Sequence, residues 1–285
     1  QYIEKEKPRN ATISYKSGSI SNVELGITGA YLLGYDSINI ITTDRIEPNE
    51  REIIRNQIRK LIGFEILNES THEISVKCLI DPTQITPAQL IQRMSIITGE
   101  MTKDAIFSIV NSDHHLAEIV VERDEEVDRL YFLLVRLLRR TLQDSKLVAS
   151  LNIKPIDCLD YRVAATLIEE IGDNATALAS YMIEHASKNF DIKLKNKLKD
   201  ISQIIDDLQF SVITAFISKN INDIKKSRVH SQSYSSKINS INPILSTLSD
   251  TDFSLLIIPK LNRIGIAYID ILDLIVPSNI LIPDQ

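Results

Sequence analysis

Two pairs of acids, Asp124/Asp128 and Glu169/Asp173, stand four residues apart inside segments that otherwise read as apolar helix. At that spacing a helix carries both carboxylates of a pair on one face, one turn apart. Like charges so placed repel unless a cation lies between them. Four such carboxylates on two adjacent helices would offer a hard oxygen donor set to a divalent or trivalent metal ion, with iron, zinc, manganese and magnesium as the candidates. Gly172 and Ala165 are small enough to let the two helices come close.

The first pair breaks its helix pattern. Val120, Val127, Tyr131, Leu134 and Leu138 form one apolar stripe at about 100° per residue, with Asp124 inside it and Asp128 one turn on, between Val135 and Val121 in angle. A buried carboxylate needs a cation, a hydrogen-bond network or a proton. Arg123 or a lysine from another helix would serve as well as a metal, and periodicity alone does not choose. Glu122, Glu125 and Glu126 point elsewhere and read as solvated charge. Glu169 and Asp173 lie opposite their own stripe (Ala164, Leu167, Ile168, Ile171, Ala175, Leu178, Met182), beside Thr166, Thr176 and Ser180, which taken alone is a solvated face. It is the matched spacing of the two pairs that singles them out.

Other reactive residue types form no pattern. Cys78 and Cys158 lie far apart with no CxxC or Cys/His spacing, which disfavours a disulfide framework or thiolate zinc site and points to a reducing, cytosolic setting. The only ExxH, Glu69 to His72, falls at a strand turn and not on a helix, so a carboxylate-bridged metalloenzyme is disfavoured. His114 and His115 sit at a helix start and read as cap-region residues, and Tyr131 and Phe132 as core and partial core. No nucleophile with a paired base emerges, and the expectation is a protein that is not an enzyme. A net charge of -6 argues against a surface devoted to nucleic acid. The basic runs at 193–199 and 225–228 read as solvated faces, with an anionic partner as the alternative.

The elements that must position the acids follow from periodicity. Up to about residue 82 the order is β-α-β-α-β-β: strands around ATISY, INIIT, FEILN and HEISVKCLI, a helix from Ile20 to Leu33 stopped by Gly34, and a helix opened by Pro48 and closed by Gly63. This is a small α/β layer without a phosphate-cradling glycine pattern. Thr86 and Pro87 then start a long helix that runs to about Val110; a second spans about 113–142 and, after the linker SLNIKPID, a third about 158–184. Three further helices are expected near 191–220, 222–247 (with Pro243 as an irregularity) and 252–276. No Glu occurs after Glu184, which marks a boundary near 187. IEEIGDNA at 168–175 and NRIGIAY at 262–268 fall in the third helix of each set, so an internal duplication at roughly 90–95 residues is the simplest account. The fold class is mainly α: a connector at 1–82, a three-helix bundle at 83–187 and a diverged copy at 188–285. No apolar run approaches the roughly 20 residues needed to span a bilayer. Gln1 in place of Met, without a signal-peptide pattern, fits a piece of a longer chain.

DEEVD at 124–128 and EEIGDNA at 169–175 resemble the paired [ED]xxxD motifs of the PhoU family of phosphate-homeostasis regulators, whose members typically read ERIGD at the second motif. The likeness covers about 86–186. It implies two tandem PhoU-like three-helix bundles and metal held by Asp124, Asp128, Glu169 and Asp173. It also implies regulation of phosphate uptake through a phosphate transporter ATPase or a sensor kinase, with homodimer formation compatible. In the family both bundles usually keep their acids; here Asn262 and Ile266 stand in the second, where Arg263 and Gly265 read as a packing remnant. Residues 1–82 look like the connector of archaeal-type proteins in which an AbrB-like DNA-binding hairpin precedes PhoU repeats, so DNA binding is implied only through an N-terminal domain absent from this chain. A helical interaction scaffold without metal is the competing function.

Overall fold

The computed structural model describes residues 8–16, 18–185, 192–239 and 251–277, without the side chains of 251–255. Its elements run β1 (Asn10–Tyr15), α1 (Ile20–Leu32), β2 (Ser37–Thr42), α2 (Pro48–Arg59), β3 (Phe64–Glu69), β4 (Glu73–Cys78), α3 (Pro87–Asn111), α4 (His114–Thr141), α5 (Ser145–Leu151), α6 (Asp157–Glu184), α7 (Ile192–Ser218), α8 (Ile221–Asn239) and α9 (Thr251–Asp273). The mainly α architecture behind a small α/β layer is the one the sequence predicts. Pro243 and the end of the helix expected near 247 lie outside the described residues. The chain divides into two compact units, residues 1–87 with 129–158, and 88–128 with 159–285.

In the first unit the sheet order is β1-β2-β4-β3, with β1 parallel to β2 and the other pairs antiparallel. Ile40 pairs with Ile13 on one side and Ile74 on the other, a β-branched row suited to a pleated surface under α1 and α2. Ile27, Tyr31, Ile38, Ile40, Ile54 and Ile74 are fully buried there. Pro48 fills the first helical position of α2, and Glu47 and Glu50 form a reciprocal cap. Gly34 and Gly63, at φ +81° and +88°, make the left-handed turns that end α1 and lead into β3.

Helix α1 has no basic residue in its last turn, so its terminal carbonyls are satisfied from elsewhere. Arg136 of α4, nearly buried at 5 % exposure, donates to Tyr31 O at 2.7 Å and Tyr35 O at 2.8 Å, and its guanidinium lies over the Tyr31 ring. Arg140 donates to Gly34 O and pairs with Asp36. A planar guanidinium with several donors suits this task, because it can serve carbonyls at its edge while its face rests on an aromatic ring.

A short helix the sequence reading does not include, α5, lies between the second long helix and the linker SLNIKPID, ending at the linker's second residue. Asp144 caps it by accepting from Lys146 N and Leu147 N, and Asn152 ends it in the left-handed region at φ +48°. Seven residues are too few for a helical stripe to show in sequence, so its caps carry the only signal.

In the second unit α3, the N-terminal part of α4 and most of α6 form the first helical set, and α7, α8 and α9 the second. Ser112 at φ +57° turns the chain between α3 and α4. The sets meet where Gln209 of α7 crosses Gly99 of α3: its Nε2 donates to Ser95 O at 2.6 Å, and a methyl group on residue 99 would come within 2.0 Å of Gln209 Oε1. Tyr268 of α9, fully buried, lies beside Thr98 and Ser95 of α3.

Candidate metal centre

Three helices converge at Gly172 of α6. A Cβ there would meet Thr98 of α3 at 3.4 Å, and on α4 Val127 at 3.5 Å and Asp124 Oδ1 at 3.6 Å. Asp124 therefore borders α6 at Gly172, and Asp124 and Asp128 both act electrostatically on Glu169. Glu169 is half-buried rather than lying on an open face as its position opposite the apolar stripe suggests, and it feels Asp173, Asp128 and Asp124 together. Asp173 is exposed. The sequence misplaces Glu169 because a stripe opposite one partner can still face another, and here α4 covers that side.

The electrostatics are those of acids crowded without sufficient cation. Burial first, then the charges of Asp173, Asp128, Asp124 and Glu170, push the Glu169 carboxyl up to about 7. Burial also raises Asp124, against a mild opposing effect of the nearby Thr176 hydroxyl. That hydroxyl is buried and meets no partner in hydrogen-bond geometry. Asp173, exposed overall, is raised by partial desolvation of its carboxyl and by Asp124 and Glu170, while Lys260 of α9 pulls the other way.

The cation that would have neutralised Asp124 is engaged elsewhere: Arg123 pairs with Asp104 of α3 at 2.6 Å. Among the neighbouring glutamates, Glu126 pairs with Arg93 at 2.7 Å on an exposed face, and Glu122 and Glu125 are exposed. Glu69, of the ExxH spacing, is held by Arg51 and Arg55 at 2.6 and 2.7 Å, and the His72 Nδ1 lies 2.8 Å from Asp44 O. His115 is exposed near Glu118, and His114 Nε2 is buried without a partner. Cys78 and Cys158 are both free thiols.

Among the described residues no group of three or more His, Cys, Asp or Glu side chains could hold a metal ion as it stands. The chemistry of the facing acids nevertheless fits a hard cation. They are oxygen donors, they destabilise one another's charge, and an orphaned hydroxyl adjoins them. The four acids named from the sequence thus lie on two packed helices and act on one another, without being drawn into a closed set.

The second set of helices is built differently at the matching place. Tyr234 of α8 lies over Gly265 of α9, where a Cβ would come within 2.0 Å of its ring, and its hydroxyl donates to Leu261 O at 2.8 Å. Gly265 is a packing residue, as expected. Arg263 is more than a packing remnant: it forks onto Glu170 of α6 at 2.5 and 2.6 Å and lies 3.6 Å from Asp270. One sequence does not show that residues beside the two Ile-Gly phrases meet, so this pair leaves no signal in it.

An α/β layer followed by two sets of long helices, one with opposed carboxylate pairs, defines a helical-bundle protein of the acid-bearing kind. The family model described as PhoU domain matches residues 91–182, which contain all four acids. Solved structures with the same fold include PhoU from Pseudomonas aeruginosa, 16% identical with a TM-score of 0.56 over 66% of this chain and 93% of that one. Another is the phosphate transport system regulatory protein PhoU from Streptococcus pneumoniae, 12% identical with a TM-score of 0.54 over 66% and 91%. A search of curated proteins finds no match. The name of the Streptococcus pneumoniae neighbour describes a regulatory protein of phosphate transport. No helix among the described residues is long and apolar enough to cross a membrane.

Proposed function

We propose that the chain is a metal-binding regulator of phosphate uptake, in which an ion held between α4 and α6 by Asp124, Asp128, Glu169 and Asp173 sets the helical surface offered to a partner. The observation that carries this reading is the convergence at Gly172, which puts both acidic pairs on facing helices with no cation of α4 assigned to Asp124. Loading replaces protons with metal, so it tightens as pH rises. Iron, zinc, manganese and magnesium all suit the oxygen donors. The resemblance adds a phosphate transporter ATPase or sensor kinase as partner, a cytoplasmic setting, homodimer formation, and the segmentation 1–82, 83–187 and 188–285. A transcriptional role rests on the AbrB-type resemblance of 1–82 alone, and its DNA contacts would lie outside these residues.

The competing reading, a scaffold whose acids hold protons in place of metal, is favoured by the absence of a closed ligand set among the described residues. Elemental analysis of the purified chain, before and after chelation and after incubation with each of the four metals, separates the two. Metal that disappears in Asp124→Asn/Asp128→Asn, with the helical circular dichroism retained, supports the regulator. Protein that stays metal-free, or a variant that loads like the wild type, overturns the assignment.

A further inference from the structure

Glu170 stands immediately before Ile171-Gly172 and Arg263 immediately before Ile264-Gly265, so the two residues occupy the same place in the two helical sets. They meet as a forked ion pair, Arg263 Nε to Oε1 at 2.5 Å and the second guanidinium nitrogen to Oε2 at 2.6 Å. Lys260, one turn earlier on α9, acts on both Glu170 and Asp173. The second helical set, whose own Ile-Gly cradle is filled by Tyr234, thus presents cations to the acids of the first.

We propose that Arg263, seconded by Lys260, is a built-in counter-cation that withholds Glu170 from the carboxylate set and weakens metal loading at Asp124, Asp128, Glu169 and Asp173. The inference rests on the metal reading above and concerns a positioning residue, not a ligand. Without the guanidinium, Glu170 is released one residue from Glu169, and a positive charge that repels an incoming cation is gone. With Glu170 neutralised instead, the guanidinium is freed to turn toward Asp173. The two halves of one ion pair therefore affect metal affinity in opposite directions. A merely structural bridge would make both changes act alike, since either one breaks it.

The test is calorimetric titration of the full chain with Mn²⁺ and with Zn²⁺, alongside elemental analysis, for wild type, Arg263→Gln, Arg263→Lys and Glu170→Gln. Arg263→Gln should bind about three- to tenfold more tightly, the range expected for removing one partly screened charge near the ion. Arg263→Lys should stay near wild type, and Glu170→Gln should weaken. Where Arg263→Gln is poorly folded by circular dichroism, Lys260→Gln takes its place, with a smaller tightening. Wild-type binding with Arg263→Gln unchanged or weaker overturns this inference and leaves the metal reading standing. Binding by Arg263→Gln alone supports both, and no binding by any chain overturns both.

Discussion

Tyr234 lies over Gly265 so closely that a methyl group at position 265 would come within 2.0 Å of its ring. The ring cannot retreat, because Tyr234 is only 2 % exposed and its hydroxyl is tied to Leu261 O. Gly172, at the matching place in the first helical set, leaves ordinary contact distances of 3.4 to 3.6 Å around a Cβ. Gly265→Ala should therefore destabilise by about 1–3 kcal/mol through overpacking. Gly172→Ala should be neutral or gain up to about 1 kcal/mol from helix propensity. Urea unfolding of the two variants checks this; equal effects would show that the two cradles are packed alike.

The same ring decides whether the second helical set can be given a metal site. Restoring the acids with Asn262→Glu and Ile266→Asp supplies one i, i+4 pair, but Tyr234 still fills the space at Gly265 that corresponds to the one Asp124 borders at Gly172. The double variant should take up no more metal per chain than the wild type, as read by elemental analysis after incubation with manganese. Extra metal in that variant would mean that the ring moves aside readily.

Proton uptake at Glu169 gives the metal-free protein an unusual pH dependence. Its carboxyl is raised from the ordinary 4.5 to about 7 by burial first and then by Asp173, Asp128, Asp124 and Glu170. Between those values the folded chain holds a proton that the unfolded chain has lost, so stability falls as pH rises through the window and levels above about 7. Raised Asp124 and Asp173 act in the same direction. The melting temperature of chelated protein should thus decline from about pH 4.5 to 7, and Glu169→Gln should flatten the decline. Added metal should reverse the slope, because ligand and proton compete for the same oxygens. A profile unaffected by Glu169→Gln would place the titrating group elsewhere.

What the sequence discloses here depends on how local the cause is. The helices of the first set are legible to within a residue or two, because apolar spacing and a Pro or Gly at the ends act within one segment. The facing of the two acidic pairs is legible through matched spacing together with a family resemblance. Burial of Glu169 is not, since it depends on which helix covers α6. The Arg263–Glu170 pair and the Tyr234–Gly265 contact join residues far apart in sequence, and no periodicity within either segment signals them. Asp124 shows the limit well: its break in an apolar stripe is visible, but that Arg123 is spent on Asp104 is a tertiary fact.

The arginines of α4 give a prediction that is independent of metal. Arg136 is nearly buried, donates to two carbonyls at the end of α1 and rests on the Tyr31 ring, itself fully buried beneath it. Arg136→Met keeps much of the apolar stem but removes every donor, leaving the Tyr35 carbonyl without this bond and Tyr31 with only its bond from Gly34 N. Loss of charge-assisted bonds to buried acceptors should cost about 2–4 kcal/mol. Arg136→Lys should recover only part of this, since an ammonium cannot serve two carbonyls from the edge of a plane while stacking on a ring. Denaturant unfolding, followed by tyrosine absorbance to report on Tyr31 and by circular dichroism for the helices, checks both variants. A lysine variant as stable as wild type would show that charge alone, rather than the guanidinium plane, caps α1.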